Sequence, residues 1–351
     1  MSTVPTLDGI TSKMIPTDRI KTHVLFCGIP HNPPVVLIHG NFSAATYFEE
    51  LMLALADNYY CIAPDLRGYG DTEDLLVDAT RGAGDWSDDL DALFTALSLE
   101  QAHILGWSLG AGTVMQFALD YPERVLSLTL ESPVSPYGFG GTKGNEGTPC
   151  YADYAGSGGG TVNPEFVKRI GENDRSTDDP NSPRNVINTF IFKPPFQAER
   201  EDAFLSASML ERLGEDRYPG DMTASANWPN VAPGKWGPIN ALTPAYFNTS
   251  SLVDLAHKPP VLWIRGDADQ IVADMSFFDF GTLGQLGFVP GWPGAEVFPP
   301  QPMVSQMRAV LEGYEANNGR YQEVVLTDCG HSPHIEKAVE FTAAFRAFLA
   351  G

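Results

Sequence analysis

From residue 22 to residue 132, short apolar runs and amphipathic stretches take turns along the chain, and this alternation narrows the fold more than any other property of the sequence. The runs THVLFCG (22–28), PVVLIHG (34–40), YYCIAPDL (59–66), QAHILGW (101–107) and VLSLTLES (125–132) read as strands. The second is a continuous apolar run, which suits a strand buried on both faces. AATYFEELMLALAD (44–57), DWSDDLDALFTALSL (85–99) and the segment from Leu109 to Arg124 read as helices. In the middle one, Leu90, Leu93, Phe94 and Leu97 share a face. Strands and helices at this spacing are parallel βαβ units. They predict an α/β fold, a mostly parallel central sheet flanked by helices.

The pattern breaks at residue 136 and resumes near 256. PPVLWIRGDAD (259–269) and QEVVLTDCGH (322–331) then read as strands, and the last segment as a helix. This divides the chain into a core of residues 1–135 and 256–351 and a large inserted cap of residues 136–255. The cap is rich in Gly and Pro but also in aromatic side chains, so it is expected to fold over the sheet. Its helical patches are PEFVKRIGE and AEREDAFLSASMLERLG. A further Gly- and Pro-rich stretch, 280–302, is expected to lack regular structure.

Forty-four acidic against 22 basic residues leave a formal charge of −22. Such a surface repels nucleic acid and anionic membranes, so neither is expected as a partner. No apolar run approaches the length of a membrane span and the N-terminus has no signal-like pattern, so a cytoplasmic location is expected. Four scattered cysteines make neither a disulfide framework nor a zinc site, and no histidines stand at metal-ligand spacing. No metal and no cofactor is expected. The oligomeric state is open.

The pentapeptide GWSLG (106–110) lies between a strand and a helix. A sharp turn there lifts the Ser108 hydroxyl clear of the sheet and sets it beside the N–H donors of a helix N-terminus. A serine nucleophile needs a base, and the base needs an orienting carboxylate. Downstream strands end in RGDAD, with Asp267 and Asp269, and in CGHSPH, with His331 and His334. Glu131, at the end of LTLE, is a competing acid.

Four motifs in one order, HGNFSA (39–44), APDLRGYGDTE (63–73), GWSLG and the GDAD and GH turns, make the chain resemble the α/β-hydrolase fold superfamily over residues 10–135 and 255–350. The resemblance implies Ser108 as nucleophile, His331 as general base and Asp269 as the acid, with Asp267 a turn neighbour. It also implies an oxyanion hole from the backbone N–H groups of Asn41 and Leu109. His39, Arg67 and Asp71 are then structural, and Trp107, Phe42 and Glu131 are expected to face the substrate. Relatives that open epoxides or displace halide use an aspartate where this chain has Ser108, which disfavours both chemistries.

The expected function is a serine hydrolase for a carboxylic ester or lactone of a moderately sized hydrophobic substrate. Carbon–carbon bond or amide hydrolysis with the same triad is the alternative, as is a ligand receptor with little turnover. The cap aromatics (Tyr137, Phe139, Phe190, Phe192, Phe196, Trp228, Trp236, Tyr246, Phe247) are expected to enclose an apolar pocket.

Overall fold

Residues 2–351 are described by a computed structural model. Eight strands form one sheet: β1 (Thr11–Pro16), β2 (Lys21–Cys27), β3 (Pro34–Ile38), β4 (Tyr60–Pro64), β5 (Ala102–Trp107), β6 (Val125–Glu131), β7 (Val261–Gly266) and β8 (Tyr321–Leu326). Their spatial order is β1-β2-β4-β3-β5-β6-β7-β8. β2 is antiparallel to both of its neighbours, and every pairing beyond β4 is parallel. The five central helices are α1 (Glu49–Leu55), α2 (Gly84–Ala96), α3 (Leu109–Asp120), α4 (Met303–Ala316) and α5 (Ala338–Leu349).

The continuous apolar runs are explained by two separate core clusters, one on each face of the sheet. Along β3, Val36 and Ile38 enter one cluster while Val35 and Leu37 enter the other. The first cluster takes Trp86 and Leu90 of α2, Phe117 of α3 and Leu311 of α4. The second takes Leu51 of α1 and Phe341 and Phe345 of α5, and it extends into the cap through Phe192 and Phe204. Cys27 and Cys61 lie opposite one another in the β2–β4 register, both buried.

Two core elements were not expected from the sequence. β1 is an edge strand with mostly exposed residues, so it lacks the apolar run that marks the others. α4 carries Met303, Met307, Val310, Leu311 and Tyr314 on its buried face, but follows directly on the Gly- and Pro-rich stretch. That stretch is also not wholly irregular. Phe280–Gln285 is a short helix, capped by the Asp279 side chain accepting from the Thr282 N–H.

None of the strands of residues 136–255 joins the main sheet. The segment holds helices Pro164–Gly171 and Glu201–Ser208 and three short strand pairs. Its final part turns back into the core, where Leu242, Phe247 and Leu252 pack in the cluster beside α3. No helix among the described residues is long and apolar enough to cross a membrane.

Candidate active site

Ser108 occupies the turn between β5 and α3 with φ 57° and ψ −116°, a backbone region that costs a non-glycine residue strain. The flanking glycines explain how the turn closes. A Cβ on Gly106 would sit 2.3 Å from the Gly110 carbonyl oxygen, and one on Gly110 would sit 2.2 Å from the Ile38 oxygen. The helix is therefore pressed directly onto the two central strands. Ser108 N–H donates to the Glu131 carbonyl at 2.9 Å, which fixes the turn against β6.

Asp269 follows β7 and His331 follows β8, so both emerge at the same sheet edge as Ser108. Asp269 Oδ2 lies 2.8 Å from His331 Nδ1, and both residues are buried. The other carboxylate oxygen accepts from the Ile271 and Val272 N–H groups, at 2.8 and 3.0 Å. A carboxylate can only accept, so Nδ1 carries the proton and the lone pair is left on Nε2. The acid and histidine turns touch closely, since a Cβ on Gly266 would lie 2.1 Å from the Cys329 carbonyl oxygen. No hydrogen bond joins the Ser108 hydroxyl to His331. Such bonds commonly tighten only when substrate is bound.

Glu131 does not meet His331. Its Oε1 accepts from His334, at 2.8 Å from the backbone nitrogen and 2.7 Å from Nδ1, and the pair is sealed from solvent. The competing acid is thus committed to a second, internal histidine. Asp267 accepts from the Asp328 N–H at 2.8 Å and braces the turn.

Trp107 is buried beneath the turn, not facing open space, and its indole N–H donates to the His331 carbonyl at 2.8 Å. It packs between His331, His334 and Tyr47. Phe42 is also buried, edge-on to Phe166 of the cap helix, with φ 50°. The expectation that Trp107, Phe42 and Glu131 face substrate is therefore corrected. Trp107 is bonded to the His331 carbonyl, Phe42 packs against Phe166 of the inserted segment, and Glu131 belongs to His334.

Leu109 opens α3, and neither its N–H nor that of Asn41 has an acceptor among the described residues. The loop carrying Asn41 is fixed by His39. Leu66 N–H donates to His39 Nε2 at 3.0 Å, so Nδ1 holds the proton and donates to the Gly40 carbonyl at 2.8 Å. Burial holds the His39 pKa below its ordinary value, which keeps this tautomer neutral. Asp65 buttresses the same region through His23, the Ala45 N–H and the Asp71 N–H. Arg67 makes a two-pronged contact with Asp89, and Asp71 accepts from Thr3. His23, Asp65 and Asp71 bring ligand-type atoms within 4.8 Å of each other, a grouping invisible in their spacing. The His23 ring is already engaged there, by Asp65 and by Ser12.

Sequence reasoning missed Glu336. Its carboxylate accepts from the N–H groups of Gly330, Ser332 and, from the cap, Lys193. It therefore clamps both sides of His331. Burial pushes its pKa up while the three donors oppose the rise. A Glu five positions after the histidine, at the end of a short turn of helix, was the only signal.

The cap aromatics divide. Phe192 and Phe247 are core residues, Phe190 stacks edge-on to Phe278, and Trp236 is exposed. Tyr137 borders a surface cavity of about 470 Å³ that none of Ser108, Asp269 and His331 lines. These five aromatics thus serve several packing sites.

The sequence profile of the alpha/beta hydrolase fold family matches residues 33–144. An uncharacterized protein of Mycobacterium tuberculosis is 35% identical over 28% of this chain, and the match spans 29% of that relative's length. Epoxide hydrolase A of the same organism is 25% identical across 97% of this chain and 98% of its own. An uncharacterized carboxylesterase, nap, of Bacillus subtilis is 29% identical over 43% of this chain and 53% of its own. Among solved structures, carboxylesterase CesB from Bacillus subtilis superposes with a TM-score of 0.58 at 16% identity, covering 97% of this chain and 91% of that one. A 2-hydroxy-6-oxo-6-phenylhexa-2,4-dienoate hydrolase from Rhodococcus sp. strain RHA1 gives 0.59 at 19% identity, covering 97% and 99%.

Proposed function

We propose that this chain, a protein of the α/β-hydrolase fold, is a serine hydrolase that cleaves a carboxylic ester or lactone through an acyl-enzyme. The observation that carries the reading is the His331–Asp269 pair, with Nδ1 protonated and Nε2 basic, at the sheet edge where Ser108 sits on its strained turn. In the first half-reaction His331 Nε2 takes the Ser108 proton as Oγ attacks the carbonyl carbon. Charge developing on the carbonyl oxygen is met by the Leu109 and Asn41 N–H groups. The tetrahedral intermediate collapses as His331 returns the proton to the departing alcohol oxygen. Water, deprotonated by His331, then attacks the acyl carbon, and Ser108 leaves with the proton. Asp269 holds the ring in the required tautomer throughout and stabilises its charged form.

The full-length similarity to an epoxide hydrolase does not carry epoxide opening here. The residue on the turn is Ser108, whose alkyl-enzyme would be an ether that water does not cleave under the same catalysis. An acyl-serine is hydrolysed by the groups already in place. Turnover of p-nitrophenyl butyrate by wild type, lost in Ser108→Ala, is the expected result. Equal turnover by the two proteins would overturn the assignment.

A further inference from the structure

Behind the Ser108 turn lies a buried histidine that the proposed reaction leaves unused. His334 stands in the short helix Pro333–Glu336, directly after the His331 turn, and is sealed from solvent together with Glu131. Glu131 Oε1 accepts from the His334 backbone N–H and from Nδ1, at 2.8 and 2.7 Å. On the other side of the ring, Nε2 lies 3.2 Å from the Tyr47 carbonyl oxygen. A carboxylate and a carbonyl only accept, so both ring nitrogens donate. Phe48, Trp107 and Phe341 pack around the ring, with centroids 4.8, 5.3 and 6.0 Å from it.

Its partners lead to each of the three loops that the reaction needs. Glu131 also supplies the carbonyl that accepts the Ser108 N–H at 2.9 Å, so the His334 contact bears on the strand end that holds the Ser108 turn. Trp107 precedes Ser108, meets the His334 ring edge-on, and donates its indole N–H to the His331 carbonyl at 2.8 Å. Tyr47 begins a relay to the loop bearing Asn41. Ser208 spends its hydroxyl proton on the Phe42 carbonyl at 2.7 Å, so the Tyr47 hydroxyl donates to Ser208 Oγ at 2.8 Å. The supports of Ser108, His331 and the Asn41 loop thus meet at one imidazole.

We propose that His334 is a positioning residue, whose two ring donors hold the Ser108 turn, the His331 turn and the Asn41 loop in fixed relation to one another. Sealed from solvent, it touches no substrate and acts through Glu131, Trp107 and Tyr47. Its effect on rate rests on the proposed ester hydrolysis, whereas its hold on the loops does not. The need for such a link follows from the topology. Nucleophile, base and oxyanion donors come from loops after three different strands, β5, β8 and β3. A misplacement of about 1 Å among them costs about 10²-fold in rate, so a side chain bonded to the supports of all three is worth more than the packing it provides. A histidine that served packing alone would affect stability and leave kcat in place.

Two substitutions separate positioning from the filling of space. His334→Phe keeps a ring among Phe48, Trp107 and Phe341 but removes both ring donors. His334→Asn keeps a donor where Nδ1 stands and gives up the Tyr47 contact. On p-nitrophenyl butyrate, His334→Phe is expected to lower kcat about 100-fold with KM within about threefold of wild type. His334→Asn is expected to recover about tenfold of that loss, the scale of one hydrogen bond to a charged group. A kcat within about threefold of wild type in His334→Phe, or no recovery in His334→Asn, would overturn the proposal. Should His334→Phe fail to fold, Tyr47→Phe removes only the relay hydroxyl and is expected to lower kcat about fivefold; an unchanged kcat there counts against it equally. Hydrogen exchange followed by mass spectrometry reads the same hold without any substrate. In His334→Phe, peptides covering 39–48, 105–112 and 329–336 are expected to exchange faster than in wild type, with β2 and β4 unchanged. A rise confined to 329–336, or none, overturns the positioning role. A rise in all three, in a protein whose wild type cleaves no ester, upholds that role and faults only the proposed reaction.

Discussion

Replacing Asp269 by Asn tests the proposed triad at its most geometrically determined point. Asp269 Oδ1 accepts from two backbone N–H groups, at 2.8 and 3.0 Å, and Oδ2 faces His331 Nδ1 at 2.8 Å. In the Asn variant the single oxygen must stay with the two N–H donors. The amide NH2 is thereby turned toward His331. A donor facing Nδ1 forces that nitrogen to give up its proton and moves the proton to Nε2. The nitrogen that should accept the Ser108 proton is then already occupied. A wrong tautomer of this kind costs serine proteases about 10⁴-fold in kcat, equivalent to about 5.4 kcal/mol of barrier. Initial rates on p-nitrophenyl butyrate, with circular dichroism to establish folding, measure it. Glu131→Gln is the matched control. The substituted side chain keeps an oxygen for the His334 N–H groups, so kcat is expected within about threefold of wild type. A loss below tenfold in Asp269→Asn, or a 10⁴-fold loss in Glu131→Gln, would refute the reasoning.

Two further outcomes follow from close packing in the core and beside it. Gly106→Ala places a Cβ 2.3 Å from the Gly110 oxygen and 2.6 Å from the Ala111 Cα, both backbone atoms that cannot swing aside. It should cost about 3 kcal/mol or more in urea unfolding, and a cost under about 1 kcal/mol would show that the turn has slack. Asp279 is buried and its pKa is pushed from 3.8 up to about 6, chiefly by desolvation, against the backbone N–H groups of Gln301 and Thr282. The folded state thus binds this proton more tightly than the unfolded chain. Its contribution is fully present below the unfolded pKa and is lost as pH rises toward and through 6. The loss amounts to about 3 kcal/mol. Asp279→Asn should abolish that part of the pH dependence between pH 4 and 7. Parallel stability–pH curves for the two proteins would contradict it.

The core was legible because each of its signals is local. A strand buried on both faces must be apolar residue after residue, and a helix over it must repeat every three to four. β3 and α2 satisfy these demands within their own sequences. The turns that carry Ser108, Asp269 and His331 were legible for a related reason, since their glycines are dictated by close backbone approach. The Gly106 and Gly266 contacts show how tight those approaches are. β1 escaped because an exposed edge strand has no apolar requirement to betray it. Trp107 and Glu131 were misread for a different reason. Position next to a nucleophile, or at a strand end, does not say which way a side chain turns. Here both turn inward, to the His331 carbonyl and to His334.

The cap was illegible for a reason that also bears on function. It is fastened by side chains that reach across long separations to backbone groups, and a linear pattern carries no trace of such contacts. Lys193 N–H meets Glu336, Ser208 meets the Phe42 carbonyl, and Arg212 meets three carbonyls after β4. Each of these anchors ends on a loop of the proposed site: the turn bearing His331, the loop bearing Asn41 and Phe42, or the loop after β4. Glu336 makes the coupling explicit, because one carboxylate holds both the cap backbone and the two residues on either side of His331. The cap and the loops around His331 and Asn41 are therefore parts of one hydrogen-bonded unit. Displacing the cap would leave buried acceptors on the loops unsatisfied, at about 1–3 kcal/mol for each, so the loops cannot keep their geometry while the cap moves freely. It follows that substitutions confined to the cap, such as Ser208→Ala, should alter kcat as well as KM. A cap that acted only as a sieve would alter KM alone.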